Sequence, residues 1–297
     1  MIITEFNPEI IKRLYQPAAD SHKGQNGRLL VIGGSKLFHT SIFWAAEVAS
    51  KMVDLVHFTS PANENNELVR QKIKSGFWEG IVVDWGQVDD YIREDDSVLI
   101  GPGMERGKMT RQIINDLLTK YPDKRWVVDG GALQEVEPRL LNGNMIITPH
   151  QGEFARLASK IQDTHATSSG QARYKIQDWN NIEERAEKTG LLSKQLDRVT
   201  ILTKGQIDVV CRGEEVVVVA GGNAGMTKGG TGDVLAGLVA GLYCKNEAFL
   251  AAQVGSYVNK KAGEALAEKV GEHFNAQDLV GMVPSQLHQV GAYIEGN

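Results

Sequence analysis

The chain reads as an α/β protein with a central, mostly parallel β-sheet, and three observations lead there. Short β-rich runs alternate with amphipathic segments, the pattern of successive βαβ units. Most of the runs are continuously apolar, as expected of strands covered on both faces by helices. The runs also stop at glycine or polar residues, where the carboxyl ends of buried strands open into a ligand crevice.

In order along the chain, Arg28-Leu-Leu-Val-Ile-Gly33 is the first clear strand, a helix follows around Ile42–Met52, and Leu55-Val-His-Phe-Thr59 is the next strand. Gly80-Ile-Val-Val83, Ser97-Val-Leu-Ile-Gly101, Arg125-Trp-Val-Val-Asp129, Met145-Ile-Ile-Thr-Pro149 and Val199-Thr-Ile-Leu-Thr203 continue the sheet. Then the rhythm changes: Asp208-Val-Val-Cys-Arg212 and Glu214-Glu-Val-Val-Val-Val-Ala220 flank Gly213 and predict a β-hairpin. The remainder reads as helical, with a helix through Ala248–Val270 and a short final one near Ala276–Val283.

A chain of 297 residues can bury a substantial core. No linker composition interrupts it, so one domain over residues 1–297 is expected, with a candidate polar insertion at 159–179. The net charge of −5, with both signs interspersed, argues against nucleic-acid binding and against attraction to anionic membranes. The N-terminus lacks the basic and apolar regions of a secretory leader, and no apolar run approaches a transmembrane span, so a cytoplasmic protein is expected. Cys211 and Cys244 lack metal-ligand spacing and read as small buried apolar residues.

The richest segment is Gly221-Gly-Asn-Ala-Gly-Met-Thr-Lys-Gly-Gly-Thr-Gly-Asp233, directly before the apolar run Val234–Leu242. A glycine-rich turn entering a helix aims several backbone N–H groups at one point, and the helix dipole adds positive potential there. The amides of Gly229, Gly230, Thr231 and Gly232 are therefore a candidate phosphate cradle. Asp233, in the first turn, is placed to accept a proton from a hydroxyl beside that phosphate. Asp is also a good first-turn residue on dipole grounds alone, but the density of glycine with Asn223 and Lys228 favours function. Lys228 either adds charge to the phosphate site or is a solvated lysine. Gly237 and Gly241, four apart in the following helix, read as a close helix-packing face.

Upstream strand ends supply Gly33-Gly-Ser35, Gly101-Pro-Gly103, Asp129-Gly-Gly131, Thr148-Pro-His-Gln-Gly-Glu153 and Lys204-Gly-Gln206. With Asn223-Ala-Gly-Met226 and Gly229-Gly-Thr-Gly-Asp-Val-Leu-Ala-Gly237, these motifs resemble the ADP/ATP-dependent NAD(P)H-hydrate dehydratases of the ribokinase-like superfamily, over roughly residues 20–285. The resemblance implies a three-layer αβα sandwich with a hairpin and helices toward the C-terminus. It also implies repair of NADHX and NADPHX: a nucleotide, ADP or ATP with Mg²⁺, phosphorylates the hydrate hydroxyl, and phosphate then leaves. ADP is the expected donor by analogy with stand-alone bacterial members.

Carried over residue by residue, the resemblance makes Asp233 the catalytic carboxylate and also a substrate contact. It assigns Lys204, Gly205, Gln206, Ile207, Asp208, Asn223 and Gly232 to the nucleotide, and Ser41, Gly103 and His150 to the hydrated nicotinamide. His150 is otherwise a loop histidine, and Glu153 is either an organiser of Mg²⁺ through water or a helix-start carboxylate. A homo-oligomer, with the tetramer as one form, and a separate epimerase as pathway partner are also implied.

Two departures bear on the substrate. Where dehydratases carry a small Gly-Ala pair, this chain reads Phe38-His-Thr-Ser41, so Thr40 and Ser41 alter the nicotinamide pocket. The usual Asp-Ala-Asp-Ala-Leu appears as Asp129-Gly-Gly-Ala-Leu133, without the second acid. These keep open a ribokinase-like small-molecule kinase acting on a vitamin-precursor alcohol, which would release a stable phosphorylated product. A catalytically silent nucleotide sensor is a further alternative, opposed by the retention of Asp233. The stretch Thr164-His-Ala-Thr-Ser-Ser-Gly170 reads as a solvated insertion or as a lid over the nucleotide.

Overall fold

The computed structural model describes residues 2–75, 79–164 and 174–295. Its centre is one ten-stranded sheet in the order β1-β10-β9-β8-β7-β6-β5-β2-β3-β4. The strands are β1 (Ile2–Glu5), β2 (Arg28–Ile32), β3 (Leu55–Thr59), β4 (Gly80–Val82), β5 (Ser97–Ile100), β6 (Arg125–Val128), β7 (Met145–Ile147), β8 (Thr200–Thr203), β9 (Asp208–Arg212) and β10 (Glu215–Val219). From β4 through β8 every pairing is parallel; β9 runs antiparallel to both neighbours and forms the predicted hairpin with β10. Gly213 makes the reversal at φ +66°, a left-handed conformation that favours glycine.

Alternation along the strands divides the core in two. Leu29, Val31, Leu99, Val127, Ile146 and Leu202 face one layer, which contains α1 (Ser41–Ala49), α8 (Thr231–Tyr243), α9 (Ala248–Val270) and α10 (Ala276–Glu295). Leu30, Ile32, Val98, Ile100, Trp126, Val128 and Ile147 face the other, built from α3 (Val88–Glu94), α4 (Lys108–Lys120), α5 (Gly130–Glu135), α6 (Gln151–Thr164) and α7 (Ile182–Gln195). Helix α2 (Asn63–Ser75) precedes β4, and its Val69 joins the first layer. This is the expected αβα sandwich, its strands apolar throughout because both faces are buried.

Two elements differ from the sequence reading. β1 was not expected: it pairs parallel with β10, yet all four residues are exposed, so no burial pattern marks it in the sequence. The last helix runs on to Glu295 through Pro284 instead of stopping near Val283. Proline removes one backbone donor, and Leu287 and Val290 beyond it pack against the core and sustain the helix. Of the candidate insertion, residues 165–173 lie outside the described residues, whereas Tyr174 on its far side is buried. Both cysteines are buried, and burial pushes both thiols up, Cys244 to about 12.

Candidate functional site

Because β2, β5, β6, β7 and β8 are parallel, their carboxyl ends share one edge of the sheet. Gly33-Gly34, Gly101–Gly103, Asp129, Thr148 and Lys204 therefore converge there, and the start of α8 arrives on the same edge. Gly101 and Gly103 have φ of +124° and +70°. A Cβ on Gly103 would stand 2.3 Å from Phe38 O and 3.1 Å from Ser41 Cβ, so its bare backbone admits the start of α1.

Asp233 lies in the first turn of α8, and its carboxylate is hydrogen-bonded to the Ser41 hydroxyl from the start of α1. Burial and the nearby Asp129 charge push its pKa up to about 7, against the Ser41 hydrogen bond and Lys204, which pull it down. The turn before it is shaped by Gly230, at φ +96°, where a Cβ would fall 2.3 Å from the Trp44 ring. Thr231 Oγ1 donates to Met226 O at 2.7 Å and Lys228 O at 2.9 Å, and the Thr231 N–H also turns back to Lys228 O at 3.4 Å. Among the described residues the N–H groups of Gly229, Gly230 and Gly232 have no backbone acceptor, so they remain available to an anion.

Behind Asp233 lies a buried charge cluster. Lys204 Nζ donates to Asp129 Oδ1 at 2.9 Å and stands 3.9 Å from Glu153 Oε2. Burial opposes the Lys204 charge, but Asp129, Glu153 and Asp233 together hold its pKa above the ordinary lysine value. Asp129 also accepts from Thr148 Oγ1 at 2.6 Å. Glu153 accepts the His150 N–H at 3.0 Å and Gln134 Nε2 at 3.3 Å, and burial pushes its pKa up to about 7 despite Lys204. His150 Nδ1 accepts the Gly152 N–H at 3.0 Å, which leaves Nε2 as the donor of the neutral ring. Burial and Lys204 hold His150 below the ordinary histidine value.

On the other side of Gly232 is a cavity of about 660 Å³ lined by Lys204, Gly205, Gln206, Asn223, Thr231 and Gly232 among others. Asp208 also lines it, but its carboxylate is engaged, accepting from Gly205 N at 2.9 Å and Ser256 Oγ at 2.7 Å. Ile207 is off the cavity wall and gives its carbonyl to Arg185. The Asn223 side chain caps its own turn, accepting Gly225 N at 2.9 Å and donating to Gly263 O at 2.7 Å. Lys228 points away from the cradle, donating to Glu272 O with its ammonium 5.1 Å from the Phe274 ring centroid.

The sequence reading missed Lys260 on α9. Its buried ammonium donates to Gln206 O at 2.9 Å, Gly205 O at 3.2 Å and Gly221 O at 3.3 Å, tying the loop after β8 to the one after β10. Its signal was faint: a lysine four residues after Ser256 on the face of α9 that meets the core. Trp179 was missed too; its Nε1 donates to Lys204 O at 3.1 Å, and its ring packs edge-on against Phe154. At Gly131 a Cβ would meet Met104 O at 1.9 Å, so the position of the missing acid has no room for a side chain on this backbone.

The arrangement sets a carboxylic acid that titrates near neutrality beside an anion cradle, between a nucleotide-sized cavity and the Gly103–Ser41 surface. Among the described residues no group of three or more His, Cys, Asp or Glu side chains is placed to hold a metal ion.

Comparison with known proteins gives a consistent picture. The profile of the NAD(P)H-hydrate dehydratase family matches residues 29–285. The bifunctional NAD(P)H-hydrate repair enzyme Nnr of Methanocaldococcus jannaschii is 32% identical over 284 residues, covering 93% of this chain. The chain spans only 51% of that relative's length. The ADP-dependent (S)-NAD(P)H-hydrate dehydratase of Nitrosopumilus maritimus is 32% identical, with 88% of each chain covered. Among solved structures, the Bacillus subtilis ADP/ATP-dependent NAD(P)H-hydrate dehydratase co-crystallised with ATP/Mg²⁺ superposes with a TM-score of 0.77 at 22% identity, over 98% of this chain and 99% of the other. At that identity the superposition establishes the ribokinase-like fold.

Proposed function

Because the chain belongs to the NAD(P)H-hydrate dehydratase family, we propose that it dehydrates the S-epimer of NADHX and NADPHX back to NADH and NADPH at the expense of a nucleotide. One observation carries this reading: Asp233 sits in the first turn of a glycine-preceded helix, beside the amides of Gly229, Gly230 and Gly232, which have no backbone acceptor among the described residues, and burial pushes its pKa up to about 7. Asp233 takes the proton of the hydrate hydroxyl as that oxygen attacks the terminal phosphoryl group of the donor, whose bridging P–O bond breaks to release the nucleotide one phosphate shorter. The free amides of Gly229, Gly230 and Gly232 hold the transferring phosphoryl oxygens. The C–O bond then breaks with phosphate as leaving group, a ring proton departs, and the dihydronicotinamide double bond is restored.

We assign Lys204, Gly205 and Gln206 to the donor wall, with Asp208 and Asn223 acting through the loops they shape. Ser41, Gly103 and His150 are assigned to the hydrated nicotinamide, where the neutral His150 ring offers its Nε2–H. Mg²⁺ would supply positive charge on the donor phosphates, and Glu153, buried and accepting from His150 N and Gln134 Nε2, would act on it through water. ADP is the proposed donor, supported by the names of the archaeal relatives.

The single sheet running through the described residues supports reading 1–297 as one dehydratase domain. No described helix is long and apolar enough to cross a membrane. We carry cytoplasmic location, a homo-oligomer with the tetramer as the assembly to test, and a separate epimerase as parts of the same proposal.

The test is recovery of reduced-nicotinamide absorbance from chemically prepared NADHX with Mg²⁺ and either ADP or ATP, with Asp233→Asn as control. Recovery that needs nucleotide and Asp233 supports the dehydratase. Accumulation of a phosphorylated alcohol from a vitamin precursor, without recovery, transfers the site to the kinase reading.

A further inference from the structure

A cavity of about 1110 Å³, larger than the donor cavity, opens on the other side of Gly34 and is lined by the start of α2 and the segment from Met104 to Thr110. It shares Met104, Glu105 and Arg106 with a second cavity of about 620 Å³ that contains His150 and Arg156. The groove is continuous with the catalytic edge. Gly34 lines it, and a Cβ on Gly103 would stand 3.2 Å from Gly34 Cα and 3.1 Å from Ser41 Cβ, the partner of Asp233.

Three features of this groove specify a ligand. Among the described residues, Arg106, Lys108 and Arg156 line it without a hydrogen bond or ion pair from their side chains, whereas the acids facing them are largely committed, Glu64 to Lys36 and Glu67 to Arg70. Glu105 is the remaining acid, leaving a surplus of cationic charge. Among the described residues, buried Asn65 spends its amide N–H groups on Ser35 O and Ser60 Oγ, while its Oδ1, on a residue that lines the cavity, has no partner. Finally, four exposed large apolar side chains, Leu37, Phe38, Leu68 and Met109, belong to the walls of these two cavities and offer flat apolar contact.

We propose that this groove holds the second nucleotide half of a dinucleotide substrate, with Arg106, at the junction of the two cavities, clamping the pyrophosphate. Lys108 and Arg156 flank the phosphates, Asn65 Oδ1 accepts a hydrogen bond from the distal nucleoside, and the base lies on Leu68 and Met109. The inference rests on the dinucleotide-hydrate reading and deepens it. A vitamin-precursor alcohol would leave the larger cavity and Asn65 Oδ1 unused, so the groove also selects against the small-molecule kinase.

The test compares wild type with Arg106→Ala, Lys108→Ala and Asn65→Ala, using NADHX and the hydrate of reduced nicotinamide mononucleotide as substrates and NADH fluorescence as a binding readout. Arg106 and Lys108 are exposed, so their variants are expected to fold. Arg106→Ala is expected to raise KM for NADHX about tenfold or more, and to shrink the preference for the dinucleotide over the mononucleotide hydrate by the same factor. NADH binding should weaken in parallel. Unchanged KM and unchanged NADH affinity in both Arg106→Ala and Lys108→Ala would overturn the inference while leaving the dehydratase intact. Absence of hydrate turnover in the wild type, with NADH binding still dependent on Arg106, would instead remove the catalytic reading and keep the groove.

Discussion

Lys204 Nζ lies 2.9 Å from Asp129 Oδ1, joining the end of β8 to the end of β6 across β7. This buried pair sets the electrostatics of the catalytic edge, because the same ammonium also draws down the pKa values of Glu153 and Asp233. Replacing it by Lys204→Met is expected to move the ascending limb of the pH–rate profile above its wild-type position. A profile that stays in place, in a variant with native circular dichroism, would detach Lys204 from the titration of Asp233.

In the wild type, the base form of Asp233 appears as pH rises through about 7. Turnover should therefore climb from pH 6 to pH 8 and then level off, an interval set by that pKa. Glu153 titrates in the same range, so the limb reports the cluster and not one carboxyl. A flat profile over that interval would contradict the assignment of the base.

Asp233→Asn should lower kcat by about a thousandfold or more while nucleotide binding persists. The same change is expected to stabilise the fold. The native carboxyl titrates about 7 against an ordinary value of 3.8, so folding binds a proton between those values and stability falls as pH rises through them. At pH 8 the variant escapes that penalty, by about 1 kcal/mol after allowance for solvent access to a half-buried group. Denaturant titration at pH 4 and pH 8 checks the sign, since the gain should be confined to the higher pH.

Gly230→Ala places a Cβ at φ +96° against the ring of Trp44. We expect a loss of about 2 kcal/mol or more in stability, together with weaker nucleotide binding as the cradle distorts. Gly229→Ala, where a Cβ meets nothing within 4 Å, is the matched control and should be far milder.

Lys260→Met removes the tie between the Gly205–Gln206 carbonyls and Gly221 while preserving side-chain length. The KM for nucleotide should rise about tenfold and the KM for the hydrate much less, since this lysine lines the proposed donor cavity. Equal changes in the two constants would argue against a donor-side role.

The layered fold and the gathering of glycine and polar strand ends at one edge of the sheet were legible in the sequence because each rests on local chemistry. Continuous apolar runs announce buried parallel strands, and the Gly229–Asp233 segment announces a glycine-rich turn entering a helix. Lys260 was not legible, because a lysine inside a long helix looks the same whether it faces water or three carbonyls. Asp208 shows the converse: it stands in the nucleotide loop, yet its carboxylate turns back to Gly205, Ser256 and Lys260. β1 escaped notice because its exposed residues carry no pattern, and Pro284 suggested a stop that packing beyond it overrides. The groove around Arg106 depends on loops after β2, β3 and β5 meeting in space, which no local window contains.

One turn beyond Ser41 and Asp233, Gly237 of α8 rests against Ala45 of α1 so closely that a Cβ would stand 2.3 Å from the Ala45 carbonyl. The two helices are thus spaced by backbone contact, and the hydroxyl–carboxylate distance at their tips is fixed by a hydrogen atom one turn away. A methyl group at position 237 would act as a wedge: it would loosen the contact between Ser41 and Asp233, make Asp233 a weaker acid, and shift the pH at which that carboxyl ionises without touching a single group in the pocket.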